Sequence, residues 1–243
     1  MNRRVRHLKS SSFGAAICLD SRFLALADND PVATFTDVSN NGQSATASGT
    51  ARPTFRTGIQ GGNPVVRFDG TNNKMNLSTN RFITTAITWT LLVVSKVDAT
   101  AGSFPAVFTT KTDLTQNWRI IASNNGSYSD FSFGSNSTSL GQLKFTASAY
   151  GTWHILAIRY NGSGAWQSLN YSAYVEGSAK TISNAGAFGA DSSSPGAVGA
   201  EAGGGNKLKG DIGYISLIQT NISDPLLKRL QNSLAFTWKM SCS

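Results

Sequence analysis

The sequence predicts an all-β fold, an antiparallel β-sandwich finished by one short C-terminal helix. Three observations carry that expectation. Short strand-like runs recur along the chain, Gly/Asn/Ser/Asp turn chemistry separates them, and only one stretch has helical periodicity. No 10–15-residue helical patterns alternate with the strands, which argues against a parallel α/β sheet.

The first clear strand is 64–68 (PVVRF), closed by the turn dipeptide Asp69-Gly70. Residues 86–97 (AITWTLLVVSKV) form the longest apolar run, rich in β-branched residues, and read as a central strand. Two more follow at 118–122 and 128–133, the second with Phe131 and Phe133 on one face. The run 153–160 (WHILAIRY) is apolar on both faces, as expected in the middle of a sandwich. Asn161-Gly162 turns the chain towards a return strand at 171–175, which Glu176-Gly177 stops. The last long strand is 211–220 (DIGYISLIQT), and the longest Gly/Ser/Asn-rich loop is 183–206.

For the helix, Ser223 supplies an N-cap, Asp224 puts negative charge in the first turn, and Pro225 is tolerated there. Leu226, Leu227, Leu230 and Leu234 mark one face, which predicts packing on a sheet edge, and 235–240 (AFTWKM) then reads as a terminal strand. No repeat or linker divides the chain. The expected organisation is a basic arm, 1–14, and a single sandwich domain, 15–243.

Composition narrows the class. Charged residues make up 14% of the chain, against the roughly 25% usual for soluble domains. Aromatic and β-branched residues are too many for disorder, two cysteines are too few for a disulfide scaffold, and no apolar run reaches membrane-helix length. The basic start is followed by an apolar stretch too short for a signal peptide, with Asp20 interrupting it, so synthesis in a cytoplasm without a signal peptide is expected. The formal charge is +8, and Arg3, Arg4, Arg6 and Lys9 supply half of it from the arm. Four clustered cations suit an anchor onto an acidic surface, or a solvated tail. The other cations form no stripe interleaved with aromatics, so nucleic acid is a partner only through the arm, and no membrane partner is expected.

Landmarks along the chain resemble a known family. Residues 24–42 (LALADNDPVATFTDVSNNG) resemble the opening of LamG-like domains, with Phe35 where Trp is common. The stretch 61–70 (GGNPVVRFDG), then Trp153-His154, Ala157, Tyr160 and Asn161-Gly162, and Tyr174-Val175-Glu176-Gly177 are similar to its later landmarks. So are 209–213 (KGDIG), Ile222-Ser223 and 230–238. The resemblance covers about 15–240 and implies a concanavalin A-like jelly roll. Stand-alone copies of this kind resemble phage virion proteins: capsid decoration, fibre or tail parts. It therefore implies a non-enzymatic virion structural protein, the arm contacting other virion proteins, assembled as a homo-oligomer. On that reading a host-surface glycan is a further partner; the alternative is a carbohydrate-binding, lectin-like module of a secreted or cell-surface bacterial protein.

No constellation points to catalysis. Glycosidases on related folds need two carboxylates flanking one bond. The chain has only Glu176 and Glu201, 25 apart and both beside glycine. His7 falls in the arm, and His154 reads as a packed or hydrogen-bonded strand residue. There is no P-loop, no nucleophile elbow and no zinc spacing. No cofactor is required. Calcium is the one metal that oxygen-rich loops allow, with Asp28, Asp30, Asp69 and Asp211 as ligands; the same residues also serve as turn-formers. For a glycan platform, Trp118, Tyr128, Trp166 and Tyr171 lie near loops, whereas Trp89, Trp153 and Trp238 read as packing. Finally, jelly rolls of this kind commonly bring first and last strands together, so Cys18 and Cys242 either form a disulfide or remain two reduced thiols.

Overall fold

The computed structural model describes residues 14–39, 41–78, 88–101, 104–111, 117–124, 129–135, 142–146, 150–162, 170–184, 196–201 and 203–243. In chain order the strands are β1 (Ala15–Asp20), β2 (Thr34–Phe35), β3 (Ala45–Thr46), β4 (Thr54–Gln60), β5 (Asn63–Asp69) and β6 (Met75–Leu77). They continue with β7 (Trp89–Val97), β8 (Ala106–Lys111), β9 (Asn117–Asn124), β10 (Ser129–Ser135), β11 (Gln142–Thr146) and β12 (Trp153–Tyr160). The last are β13 (Tyr171–Val175), β14 (Ser178–Lys180), β15 (Ile182–Asn184), β16 (Ala197–Val198) and β17 (Lys209–Ile218), followed by helix α1 (Asp224–Trp238).

One sheet runs β14-β13-β12-β7-β17-β5-β4, with β1 also paired to β17; the other runs β15-β11-β10-β9-β8-β16-β6-β3-β2. Their strand pairings are antiparallel throughout. The fold is the expected antiparallel β-sandwich with one C-terminal helix. The loop expected at 183–206 overlaps the short strand β15 and includes β16, which the Gly/Ser composition conceals.

Two apolar layers hold it together. Between the sheets lie Phe35, Phe68, Leu91, Val93, Phe108, Phe131, Leu156, Ile158, Ile215 and Leu217. The second layer is on the outer face of the first sheet. There Leu92, Val94, Ile155, Ala157, Tyr214 and Ile218 meet Leu227, Leu230, Leu234 and Trp238 of α1. A sandwich strand has only one face towards the other sheet. The doubly apolar character of β7 and β12 therefore comes from the helix, which lies on the sheet's face and not on its edge.

The helix also runs further than expected. Residues 235–240 do not form a strand. Leu227, Leu230, Leu234 and Trp238 stay on one buried stripe, and the helical period simply continues until Lys239 turns left-handed at φ 49°. At its start Asp224 pairs with Arg159 at 2.6 Å, and the same guanidinium bonds the Ile222 carbonyl at 3.0 Å. At its end the Trp238 carbonyl accepts from Gln60 Nε2 (2.9 Å) and the Thr237 carbonyl from Asn63 Nδ2 (2.7 Å). Carbonyls that every helix C-terminus leaves unbonded are thus tied to the β4–β5 turn.

Trp238 is fully buried and sits against Gly213. The register of β17 against β7 slips between Ile212 and Tyr214, so Gly213 occupies a bulge. A Cβ there would stand 2.2 Å from the indole ring.

No disulfide joins Cys18 and Cys242. The first strand does lie beside the last, β1 against β17. However, α1 carries the chain back across the sheet, and Ser243 N–H bonds the Glu176 carbonyl at the β13–β14 turn. Four strand spacings, about 19 Å, then separate the two sites, whereas a disulfide needs Cα atoms within about 7 Å. Both thiols are therefore expected to react with a thiol reagent in denaturant without prior reduction.

The packing at Gly213 makes a sharper prediction. Gly213→Ala should cost about 1–3 kcal/mol in urea denaturation, because neither the indole nor the sheet backbone has room to give. An unchanged midpoint would show that the helix is not held there.

Candidate functional site

Helix α1 covers only part of the outer face. Two residues further along each strand, the face is open and polar. The strand registers place Thr54 (β4), Arg67 (β5), Asp211 (β17), Lys96 (β7) and Trp153 (β12) directly opposite one another in turn. Directly opposed residues share a face. Five adjacent strands therefore present one cross-strand row: a hydroxyl, two cations around an acid, and an indole.

Most of the row lines a cleft of about 470 Å³, together with Asp69, Asn73, Asp98 and Lys209. At its floor the Arg67 guanidinium grips the Asp211 carboxylate with two bonds, Nε to Oδ1 at 2.6 Å and Nη2 to Oδ2 at 2.9 Å. Asp211 is buried while the Arg67 side chain is 39% exposed. The bond to Asp211 raises the Arg67 pKa above its ordinary value. Lys96, the neighbour of Asp211 on the other side, is partly exposed.

Two loops form the walls. In the first, Asp69 Oδ1 accepts the backbone N–H groups of Thr71, Asn72 and Asn73 at 2.8–3.0 Å. Asn73 returns a bond to the Asp69 N–H through Oδ1 and donates through Nδ2 to the Arg52 carbonyl. In the second, Asp98 Oδ1 accepts from the Thr100 N–H and hydroxyl, both at 2.8 Å. Lys209 bridges them, its ammonium donating to the Thr100 hydroxyl. A side chain at Gly70 would collide with Lys209, with Cβ 2.8 Å from Cβ, and one at Gly210 with the Lys96 carbonyl at 2.2 Å. The close approach of β5, β17 and β7 that shapes the cleft depends on those two glycines.

The electrostatics follow from the bonding. Burial pushes the Asp69 carboxyl up, but its three N–H donors outweigh burial and hold it below its ordinary value. The Thr100 N–H and hydroxyl do the same for Asp98. Asp28, outside the cleft, is lowered first by the Thr57 N–H and then by Arg56.

The expected site residues fare differently. Tyr171 is no glycan platform: it is 6% exposed, with its ring against Trp89 and Tyr160 in the inter-sheet core. Its loop-adjacent position hid an inward alternation, since Tyr171, Ala173 and Val175 all face the core. Trp118 falls in β9, opposite Thr110 and Ser135. Tyr128, Trp166 and the arm residues Arg3, Arg4, Arg6 and Lys9 lie outside the described residues. His154 is buried, bonded to Thr152 Oγ1 at 2.8 Å and Glu176 Oε1 at 2.9 Å.

The calcium candidates all have donors on their oxygens. Asp28 accepts from Thr57, Arg56 and Asn29, and Asp30 from the Ala27 N–H. Asp69 serves its turn and Asp211 holds Arg67. Among the described residues no group of three His, Cys, Asp or Glu side chains is placed to hold a metal ion. The sequence reading passed over Arg67, Lys96, Asp98 and Lys209. The available signal was a lone charge in an apolar strand, as in PVVRF and LLVVSKV, which marks where a covered face opens.

No protein-family model matches the chain, and no curated protein matches it. Solved structures do. The binding domain of Paraclostridial Mosquitocidal Protein 1 aligns at a TM-score of 0.58 and 11% identity, over 93% of this chain and 53% of that one. The receptor-binding domain of botulinum neurotoxin D aligns at 0.59 and 11%, over 93% and 54%. A Trypanosoma rangeli sialidase aligns at 0.51 and 11%, over 92% and 33%. At such identities the likeness is one of fold, a β-sandwich shared with binding domains. This chain spans about half the length of the toxin domains it matches.

The lowered carboxyls set a pH dependence. A carboxyl whose folded pKa is depressed stabilises the fold fully above its unfolded value, and that contribution is lost as pH falls through the folded value. With a reference of 3.8 for Asp, the melting temperature should hold from pH 7 to about 5 and fall below about pH 4. Asp69→Ala should flatten part of that fall. Asp69→Asn should cost less at pH 7, since its amide oxygen still accepts the three N–H bonds; calorimetry across pH reads both.

Proposed function

We propose that this chain is a non-catalytic carbohydrate-recognition module that binds a hydroxyl-rich glycan in the Arg67–Asp211 cleft. The observation that carries the reading is the bonding pattern of that cleft. A sugar hydroxyl is donor and acceptor at once, so a site that recognises it must present both in fixed positions. Here Lys96, Lys209 and the remaining Arg67 N–H groups are donors. Asp69 Oδ2 and Asp98 Oδ2 are acceptors, on carboxylates locked by their first oxygen. Side chains held by their own hydrogen bonds lose little freedom on binding, which favours affinity. An apolar ligand would call for a largely hydrophobic lining, which this cleft lacks.

The likeness in fold to domains described as binding or receptor-binding supports a recognition role. Formal charge points the same way. Three cations and three acids line the cleft and balance, so the chain's +8 lies elsewhere.

A glycan panel followed by titration calorimetry tests the proposal. A neutral oligosaccharide should bind, and Lys96→Ala should weaken it about tenfold with little change in melting temperature. Raising NaCl from about 50 to 500 mM should change the affinity by no more than about twofold, because the charges of the cleft cancel. Silence across the panel, or steep loss of binding with salt, would overturn it.

A further inference from the structure

The row that carries the cleft continues past it. Trp153 stands directly across from Lys96 on the next strand, on the same outer face. It is the only aromatic residue of that row, and it is partly exposed although it packs against the second apolar layer. One side of its indole is backed by Trp238, with ring centroids 6.1 Å apart and planes 22° from parallel. Trp238 is itself immobilised: fully buried, pressed on Gly213, its carbonyl bonded by Gln60. A partly exposed indole on a fixed backing is a rigid flat surface beside a polar cleft.

From Trp153 to Arg67 the row crosses three strand spacings, about 14 Å. A single sugar ring lying on Arg67 and Asp211 cannot also reach the indole. We infer that the site takes an extended oligosaccharide lying across the strands, one ring in the Arg67–Asp211 cleft and a later ring stacked on Trp153. This rests on the carbohydrate reading of the cleft, and it adds the direction of the chain, a minimum length above one ring, and the residue that reads length. The physics suits the two halves. Hydroxyls of the first ring are matched by the charged donors and acceptors. The apolar C–H face of the later ring is matched by an aromatic surface, which buries area and costs little conformational freedom because the indole is already held.

The test is titration calorimetry with length series, mono- to hexasaccharide, of β-1,4-glucan, β-1,3-glucan and β-1,4-linked N-acetylglucosamine. With the wild-type chain, affinity for the binding series should rise at least tenfold between the monosaccharide and the tri- or tetrasaccharide. Trp153→Leu, which keeps an apolar contact with Trp238, should abolish that rise and leave monosaccharide affinity unchanged. Trp153→Phe should restore most of it. Lys96→Ala should instead weaken every length by a similar factor. If affinity in the wild type does not depend on length, or if Trp153→Leu keeps the rise, the extended site is wrong while the cleft reading stands. If no member of any series binds, both fall together.

Discussion

Everything distinctive about this sandwich follows from the seating of Trp238 on Gly213. The indole fills the space that a missing side chain leaves in a β17 bulge, and the helix it terminates is thereby laid across the outer face of the first sheet. Burial of a large aromatic is worth a few kcal/mol, and close packing makes the site intolerant of even one added carbon. Because the helix lies there, Leu92, Val94, Ile155 and Ala157 must be apolar, on the face that a plain sandwich would leave to solvent. Because the helix stops there, the next position along each strand emerges at its end, and Arg67, Lys96, Asp211 and Trp153 occupy it.

A second constraint governs the loops. Backbone N–H groups in tight turns need acceptors, and this chain supplies them repeatedly with Asp and Asn. Asp37 accepts from the N–H groups of Cys18, Ser39 and Gln43, which pins the loop after β2 to β1. Asp69 and Asp98 do the same at the rim of the cleft. The arrangement explains why an Asp/Asn pattern that looks like a calcium site on paper is spent on the chain's own backbone. At the rim of the cleft those bonds hold the Asp69 and Asp98 carboxyls below their ordinary pKa.

How much of this could be seen in the sequence follows from the same physics. Strands β7, β12 and β13 were legible because burial writes itself as apolar runs bounded by turn dipeptides, and β12 and β13 agree to the residue with WHILAIRY and YSAYV. Short strands such as β3, β6 and β16 were not, because two or three residues carry no periodicity. The helix was legible in its leucines, but its last turn was not. Phe236 and Thr237 face away from the sheet, and AFTWKM taken alone has strand composition. The site was the least legible part. Its members come from five strands, and Thr54 and Asp211 are 157 positions apart. Only the pairing registers, including the bulge at Gly213, bring them into one row.

The low charged fraction of the chain takes its meaning from that row. On most of the outer face the helix removes any use for charge, and in the loops the Asp carboxylates are spent, with Asn and Ser, on the chain's own backbone. Charge is retained where a strand passes out from under the helix, and there it is paired, Arg67 with Asp211 and Lys209 beside Asp98. A balanced, internally bonded set of this kind exerts little long-range pull. Its use is at contact distance, where direction matters more than net charge. That is the requirement of a ligand recognised through hydroxyl geometry, and it separates this cleft from the cationic arm at the other end of the sequence.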